Sequence, residues 1–349
     1  MRGEYKVRGG KLVVVQVDEV DGRYANAHLS GDFFLEPDEA LERINAGIDG
    51  VPTSASVAEL TDAIRAALDE DVRMVGFDPQ AVAIAARRAV GGAIGWDDLT
   101  FEVIGPRVMD PAMHVALDEV FPAELSSGAR GPVLRFWDWD SPLVVIGSFQ
   151  SVRNEINADN AARYGIRVVR RITGGGAMFM EPGNCITYSL TVPGALVEGL
   201  SYEQSYAYLD DWVLGALAEV GIHAVYRPLN DIASDKGKIG GAAQRRLTDG
   251  TVLHHVTMSY DIDAEKMMQV LRIGREKLSD KGTKSANRRV DPMRSQTGLS
   301  RAELFRRFIA HFMGRYDAVE SDYRPEELAR ARRLLDEKFT TEEWTRRVP

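Results

Sequence analysis

The chain offers few residues whose type and spacing suit chemistry, and most of them fall in three stretches. The first is Arg170-Arg171-Ile172-Thr173-Gly174-Gly175-Gly176-Ala177. It follows the strand-like Val168-Val169, so the glycines fall in a turn at a strand end. There, backbone without Cβ atoms can bring N–H groups close to an anion. The two arginines add fixed positive charge beside it, which suits a phosphate or a carboxylate. A surface turn carrying two solvated arginines is the competing reading. The second stretch is Asn230-Asp231, then Gly237-Lys238-Ile239-Gly240-Gly241-Ala242-Ala243-Gln244-Arg245. Lys238, set among glycines and apolar residues, can act as a point charge toward an oxyanion or phosphate. Asp231 supplies a hard oxygen ligand of the kind Mg²⁺ takes. The bland alternative is a glycine hairpin with a solvated lysine. The third is His254-His255, neighbours that point to opposite faces of a strand, so one of the two should face the interior. Cys185 reads as a small core residue, and Trp137 and Trp139 as alternating packing residues.

Composition narrows the chemistry. The 349 residues can build two domains with cores of their own. Hydrophobic content of 44% and charged content of 27% are those of a globular protein. A net charge of −9 gives none of the basic surplus typical of nucleic-acid binders. One cysteine makes no internal disulfide, and the six histidines have no HExxH-type spacing. There is no apolar run of about 18 residues and no apolar leader after Met1. The expectation is a cytoplasmic monomer that engages neither membrane nor nucleic acid.

These residues need elements to hold them. Lys11–Val17 and Arg23–Leu29 read as strands joined at Asp21-Gly22. Pro37 opens a helical stretch, Val57–Leu68 is a second helix, and Asp78-Pro79 starts a third that ends at Gly91-Gly92. Residues 1–92 thus form a small α+β unit, 93–100 a linker, and 101–349 a longer domain. In that domain Leu143–Ile146 and Val168-Val169 are short buried strands flanking a helix at Asn157–Tyr164. Tyr202–Val220 reads as one helix on its apolar spacing. Val252–Tyr260 is a strand, and Leu299–Phe312 and Glu326–Leu335 are helices.

Taken in order, the pieces resemble the lipoate–protein ligase branch of the biotin/lipoate ligase family. Trp139 to Gly147, with Phe149-Gln150, resembles its first strand motif. Arg170–Ala177 resembles its RR-x-S/T-GGGA loop, and Gly183-Asn184 follows. Asn230-Asp231 with Lys238, Gly241 and Ala243 resembles its ND…GKK-x-x-G-x-A segment. His254-His255 stands where the family has HHGT, and Leu334–Trp344 resembles its C-terminal helix end. The resemblance runs from about residue 101 onward. Gly10-Lys11-Leu12 and Gly31-Asp32-Phe33-Phe34 resemble the family's accessory domain, here placed first. Three stretches depart from the family pattern: Phe179-Met180-Glu181, Ser148 and Val256.

The resemblance implies an α+β fold: a biotin/lipoate ligase-like mixed sheet with packed helices, plus a small α+β accessory domain. It implies activation of lipoate by ATP, with Mg²⁺, to lipoyl-AMP. Transfer then goes to a lysine of an apo lipoyl-carrier domain, in 2-oxoacid dehydrogenase or glycine cleavage proteins. Lys238 would be the catalytic cation. Arg171, Thr173, Gly174, Gly175, Gly176, Ala177, Arg245 and His255 would bind the acyl substrate. Phe179, Asn230, Asp231 and Lys238 would meet the nucleotide, with Asp231 on the metal. The alternatives are an octanoyltransferase of the same fold, working without ATP through a thiol such as Cys185, and a non-catalytic lipoyl-domain binder.

Overall fold

The computed structural model describes residues 1–7, 9–272 and 291–348. They form two compact units. One is Met1–Asp98 together with Gly194–Tyr208, and the other is Leu99–Pro193 with the chain from Leu209 onward.

In the first unit, β1 (Arg2–Lys6), β2 (Leu12–Val20) and β3 (Arg23–Gly31) form an antiparallel sheet in that order. The β2–β3 turn places Asp21 and Gly22 at positive φ, as a tight right-twisted hairpin requires. A short ladder joins β4 (Phe34–Glu36) to β5 (Arg73–Val75). Three helices complete the unit: α1 (Ala40–Ile48), α2 (Val57–Ala66) and α3 (Pro79–Val90). Ser56 and Glu59 make a reciprocal cap at the start of α2, and the Asp78 carboxylate accepts from the Ala81 N–H at the start of α3. Val13, Val15, Ile44, Leu60, Ile64 and Val82 share the core. The segment Gly194–Tyr208 is tied in by the buried Arg88, which donates to the carbonyls of Glu198, Leu196 and Ile94.

The second unit is built on an eight-stranded mixed sheet. Its strands are β6 (Phe101–Met109), β7 (Val133–Trp139), β11 (Cys185–Pro193), β12 (Val225–Arg227), β13 (Asp231–Ala233), β14 (Lys238–Arg246), β15 (Thr251–Ser259) and β16 (Ala318–Ser321). Their order is β12-β13-β14-β15-β11-β7-β6-β16. β6 runs parallel to both β7 and β16, and the other pairs are antiparallel. A smaller sheet takes β8 (Leu143–Ile146), β9 (Arg167–Arg170) and β10 (Met178–Met180) in the order β10-β8-β9. Helix α4 (Pro111–Ser126) covers one face of the large sheet, packing Val115, Leu117 and Phe121 with Trp137, Trp139 and Leu253. The helices Asp211–Glu219 and Arg301–Arg315 cover the other face. There Trp212 lies against Tyr188 and Phe136, and Phe305 meets Phe136 edge-on. This is the expected α+β architecture.

Three expectations need correcting. Residues 101–349 are not one continuous domain, because Gly194–Tyr208 belongs to the first unit. Tyr202–Val220 is two helices, Tyr202–Leu209 and Asp211–Glu219. The break falls at Asp210, whose buried carboxylate accepts from Tyr188 Oη at 2.9 Å and pairs with His254 Nε2 at 2.6 Å. Apolar spacing continues across the break, because it carries no trace of those distant partners. Both His254 and His255 are buried, where one was expected to be. β15 is an interior strand with helices on both faces, so alternation sends each ring into a different core.

Candidate active site

The glycine loop leaves β9 and folds back over the turn that follows β8. The Arg171 N–H donates to the Ile146 carbonyl at 3.0 Å, and the Ser148 N–H donates to the Thr173 carbonyl at 2.8 Å. A Cβ on Gly147 would lie 2.1 Å from the Gly175 carbonyl oxygen, so no other residue fits there. Gly175 itself takes φ +94, which a side chain would resist. Gly175 and Gly176 are exposed, whereas Thr173 is fully buried.

The two arginines are not solvated. The buried Arg170 guanidinium donates to the carbonyls of Gly147, Ser148 and Gln150 on one side and of Trp344 and Thr345 on the other. Its charge is therefore committed to protein dipoles and not to an external anion, which corrects the reading of a paired-arginine anion site. Arg171, 3% exposed, donates from Nε to Thr173 Oγ1, from Nη2 to the Gly174 carbonyl and from Nη1 to the Val145 carbonyl. It braces the loop from beneath.

Beside the loop stands β14. Register pairs Ala243 with His255 and Gly241 with Thr257 on β15. Gly241, Ala243 and Arg245 share one face of the strand. The Ala243 methyl reaches within 3.7 Å of where a Gly175 Cβ would stand, and Arg245 Nη1 donates to the Ile172 carbonyl at 3.2 Å. Lys238 opens β14 half-exposed, its Nζ 2.6 Å from Asp231 Oδ1. A Cβ at Gly241 would come within 3.1 Å of that Nζ, so the glycine leaves room for the ammonium group. Asn230 Nδ2 donates to the Ala242 carbonyl, and the Ala242 N–H donates to the Asn230 carbonyl. The structure thus gathers the glycine loop, Ala243, Arg245 and His255 into one region, with Lys238, Asp231 and Asn230 at the head of β14. Ala177 continues the loop toward β10, half-buried against Val144, Ile146 and Ile156.

Phe179 does not join them. Its ring is buried with Val144, Ile146, Ile156 and Val270 in the core under the small sheet. The expected nucleotide contact has no ring surface to use, because alternation along β10 turns Phe179 inward. Among the described residues no group of three or more His, Cys, Asp or Glu is placed to hold a metal. Asp231 is a single carboxylate with Lys238 already against it. That donor set fits only an ion held mainly by substrate phosphates.

Beneath the loop lies a residue the sequence did not mark. Asp118 on α4 accepts from Arg135 Nη2 at 2.6 Å, Ser189 Oγ at 2.6 Å and His255 Nδ1 at 2.8 Å. Burial pushes its carboxyl up, but the His255 hydrogen bond and the Arg135 charge outweigh that and hold it below the ordinary value. Burial lowers His255, against the pull of Asp118, so the ring is neutral near pH 7. Its Nε2 lies 2.8 Å from Thr173 Oγ1. Cys185 is also buried, with Sγ 3.8 Å from the Phe179 carbonyl, and burial pushes its thiol up to about 12. A thiol so protonated is a packing group and not a nucleophile.

The site thus sets a glycine loop beside a cation–carboxylate pair on strands of a mixed sheet. The chain belongs to the family whose model, "Lipoyl protein ligase A/B catalytic domain", matches residues 110–313. It is 29% identical over 248 residues to lipoate-protein ligase A subunit 1 of Thermoplasma acidophilum, covering 66% of this chain and 90% of that one. It is 26% identical over 223 residues to octanoyltransferase LipM of Clostridioides difficile, covering 57% and 79%. Among solved structures, a bi-partite lipoate protein ligase of T. acidophilum, studied with its E2 lipoyl domain, superposes with a TM-score of 0.63. The identity is 28%, over 71% of this chain and 96% of that one. A lipoate-protein ligase A bound with ATP gives 0.60 at 25% identity, over 71% and 98%. The fold is that of the biotin/lipoate ligases, and the chain is an enzyme of the lipoate ligase and octanoyltransferase group.

Proposed function

We propose that this enzyme is the ATP-dependent member of that group. It joins lipoate and ATP to lipoyl-AMP, releasing pyrophosphate, and passes the lipoyl group to a lysine of an apo lipoyl domain. The observation that carries the reading is the contrast between Lys238 and Cys185. Lys238 is half-exposed among glycines at the head of β14, whereas the thiol is buried and protonated. A transferase that works through a cysteine needs an accessible and activated thiol.

In the first step a carboxylate oxygen of the acyl acid attacks the α-phosphorus. The Lys238 ammonium would move from Asp231 toward the carboxyl and phosphoryl oxygens, where it would stabilise the charge of the transition state more than that of the ground state. The Asp231 carboxylate, released by that movement, would be the residue to hold a Mg²⁺ ion. Such an ion, when bound, screens the phosphate charge. Gly174, Gly175, Gly176 and Ala177 present backbone to the acyl chain and carboxyl, and Arg245 closes the β14 side. In the second step the acceptor lysine attacks the acyl carbon and AMP leaves. The ATP-bound structure of a similar ligase and the ligase studied with a lipoyl domain support this choice of co-substrate and acceptor. The first unit is assigned the accessory role, supporting adenylation. The deciding experiment supplies an apo lipoyl domain with lipoate, with and without ATP and Mg²⁺, and in a separate arm with an octanoyl carrier protein. The mass of the acceptor is then measured. Modification only with ATP supports the ligase, and equal modification from the carrier alone overturns it.

A further inference from the structure

Asp118, His255, Thr173 and Arg171 form an unbroken hydrogen-bonded line from α4 to the glycine loop. We propose that Asp118 is a positioning residue for that loop, acting through His255 and Thr173 to fix the Arg171 guanidinium against the Gly174 carbonyl. The inference rests on the reading that this loop binds the acyl acid.

The direction of each bond follows from what the groups can do. An ionised carboxylate only accepts, so the His255 proton must sit on Nδ1. A neutral ring then offers Nε2 as an acceptor, and the Thr173 hydroxyl at 2.8 Å must donate to it. That leaves the Thr173 oxygen lone pairs facing Arg171 Nε at 2.8 Å, which only donates. With Nε held there, Arg171 Nη2 meets the Gly174 carbonyl at 2.6 Å. Reversing the histidine tautomer would set an Nδ1 lone pair against the Asp118 carboxylate. The polarity is therefore set at the Asp118 end. Arg135 and Ser189 fix the carboxylate itself, and Arg135 Nη1 also meets His114 Nδ1 at 2.9 Å. The Trp137 ring lies edge-on to His255 at 6.3 Å, which limits rotation of the imidazole. The charged groups facing His255 are Asp118 from α4, Arg171 from the loop and, behind the carboxylate, Arg135 on β7. The adjacent His254 turns to Asp210 on the other side of the sheet. All members of the line are at least 95% buried. Water therefore cannot substitute for a missing partner without repacking.

The test uses the full chain and two kinds of readout. Long-range ¹H–¹⁵N correlation of the imidazoles should show His255 in wild type as the neutral Nδ1–H tautomer at pH 7. In Asp118→Asn that tautomer should lose its dominance. Lipoate affinity, measured calorimetrically without ATP, should weaken about tenfold in Asp118→Asn, the scale of one lost buried hydrogen bond. In steady-state assays KM for lipoate should rise more than kcat falls. Thr173→Val should reproduce the loss, and Thr173→Ser, which keeps the hydroxyl, should recover most of it. A wild-type His255 found as the Nε2–H tautomer or as imidazolium overturns the proposal. So does a folded Thr173→Val with the lipoate affinity of wild type, a result that stands even where Asp118→Asn fails to fold. Tautomer and affinity are read without turnover. Failure of the ATP-dependent reaction in wild type would therefore sink the ligase reading and leave this inference to its own data.

Discussion

Replacing Arg170 tests the claim that the first arginine of the glycine motif is a structural clamp. Arg170→Met keeps much of the apolar stem and removes the guanidinium. Five backbone carbonyls lose a charged donor, those of Gly147, Ser148, Gln150, Trp344 and Thr345. A hydrogen bond from a charged group contributes about 1.5–3 kcal/mol. The bond to Ser148 is long, at 3.2 Å, and shares Nη1 with two closer acceptors, and the bond to Trp344, at 3.1 Å, shares Nε with the Thr345 carbonyl. Counting the three strongest contacts, to Gly147, Gln150 and Thr345, gives roughly 4.5–9 kcal/mol. Water entering the opened site should return part of that, so a net loss of about 3–5 kcal/mol is expected. For a unit of this size that corresponds to a fall in Tm of about 6–20 °C. Arg170→Lys should keep only a minority of the bonds, because one ammonium cannot reach both groups of carbonyls. Arg167→Ala, at an exposed position of the same strand, serves as the control and should shift Tm by under about 2 °C. The assay is thermal and urea unfolding of the full chain, followed by tryptophan fluorescence. An Arg170→Met protein that melts with the control would refute the clamp and return Arg170 to the list of ligand-binding candidates.

Other outcomes follow from the same geometry. Lys238→Ala should fold normally and lose about 10²–10³-fold in lipoyl-AMP formation, read as pyrophosphate release. Near-normal release would remove the lysine from the reaction. Cys185→Ala should keep wild-type turnover, and native protein at pH 8 should resist iodoacetamide, since the thiol is buried and burial pushes it up to about 12. A trapped thioester would contradict this. Stability should fall in acid. Burial, reinforced by the Arg135 charge, holds His114 down to about 3 in the folded state, against 6.5 for the free group. Below pH 6.5 the unfolded chain takes up a proton that the folded chain refuses. That contribution is complete above 6.5 and is lost as pH falls toward 3, at up to about 1.4 kcal/mol per pH unit. His255 is shifted the same way, and Asp118, held low when folded, adds its own loss below its ordinary value. Urea titrations at pH 7.5 and 5 should therefore differ by more than 1 kcal/mol, and equal midpoints would show these rings to be accessible.

The sequence was most legible where local chemistry sets local structure. The capped helix at Asp78-Pro79, the Asp21-Gly22 hairpin and the strand before the glycines all read correctly from short motifs. Helix α4 was missed because it is buried nearly all round, from Pro111 to Pro122, so it shows no amphipathic period. Asp118 was lost with it, an acidic residue in an apolar run whose partners lie 17, 71 and 137 positions away. The segment Gly194–Tyr208 was hidden for a related reason. Its attachment to the first unit runs through Arg88, which donates to the Glu198 and Leu196 carbonyls and lies over the Tyr208 ring, contacts between residues more than 100 positions apart. The paired arginines show the limit of motif chemistry. Type and spacing gave their charge correctly, and only tertiary structure shows that carbonyl groups already consume it.

The Arg170 clamp also orders events in time. It joins residues 174 positions apart, and the Trp344 indole returns the contact by donating to the Arg170 carbonyl. Arg347 adds a bond to the Ser148 carbonyl at 2.9 Å. During synthesis the strands around the glycine loop leave the ribosome long before residues 344–347 do. Until those residues arrive, the carbonyls at 147–150 and the loop above them are held from one side only. The nascent chain would pass through a stage in which the strands around the glycine loop are made and the loop itself is not yet clamped.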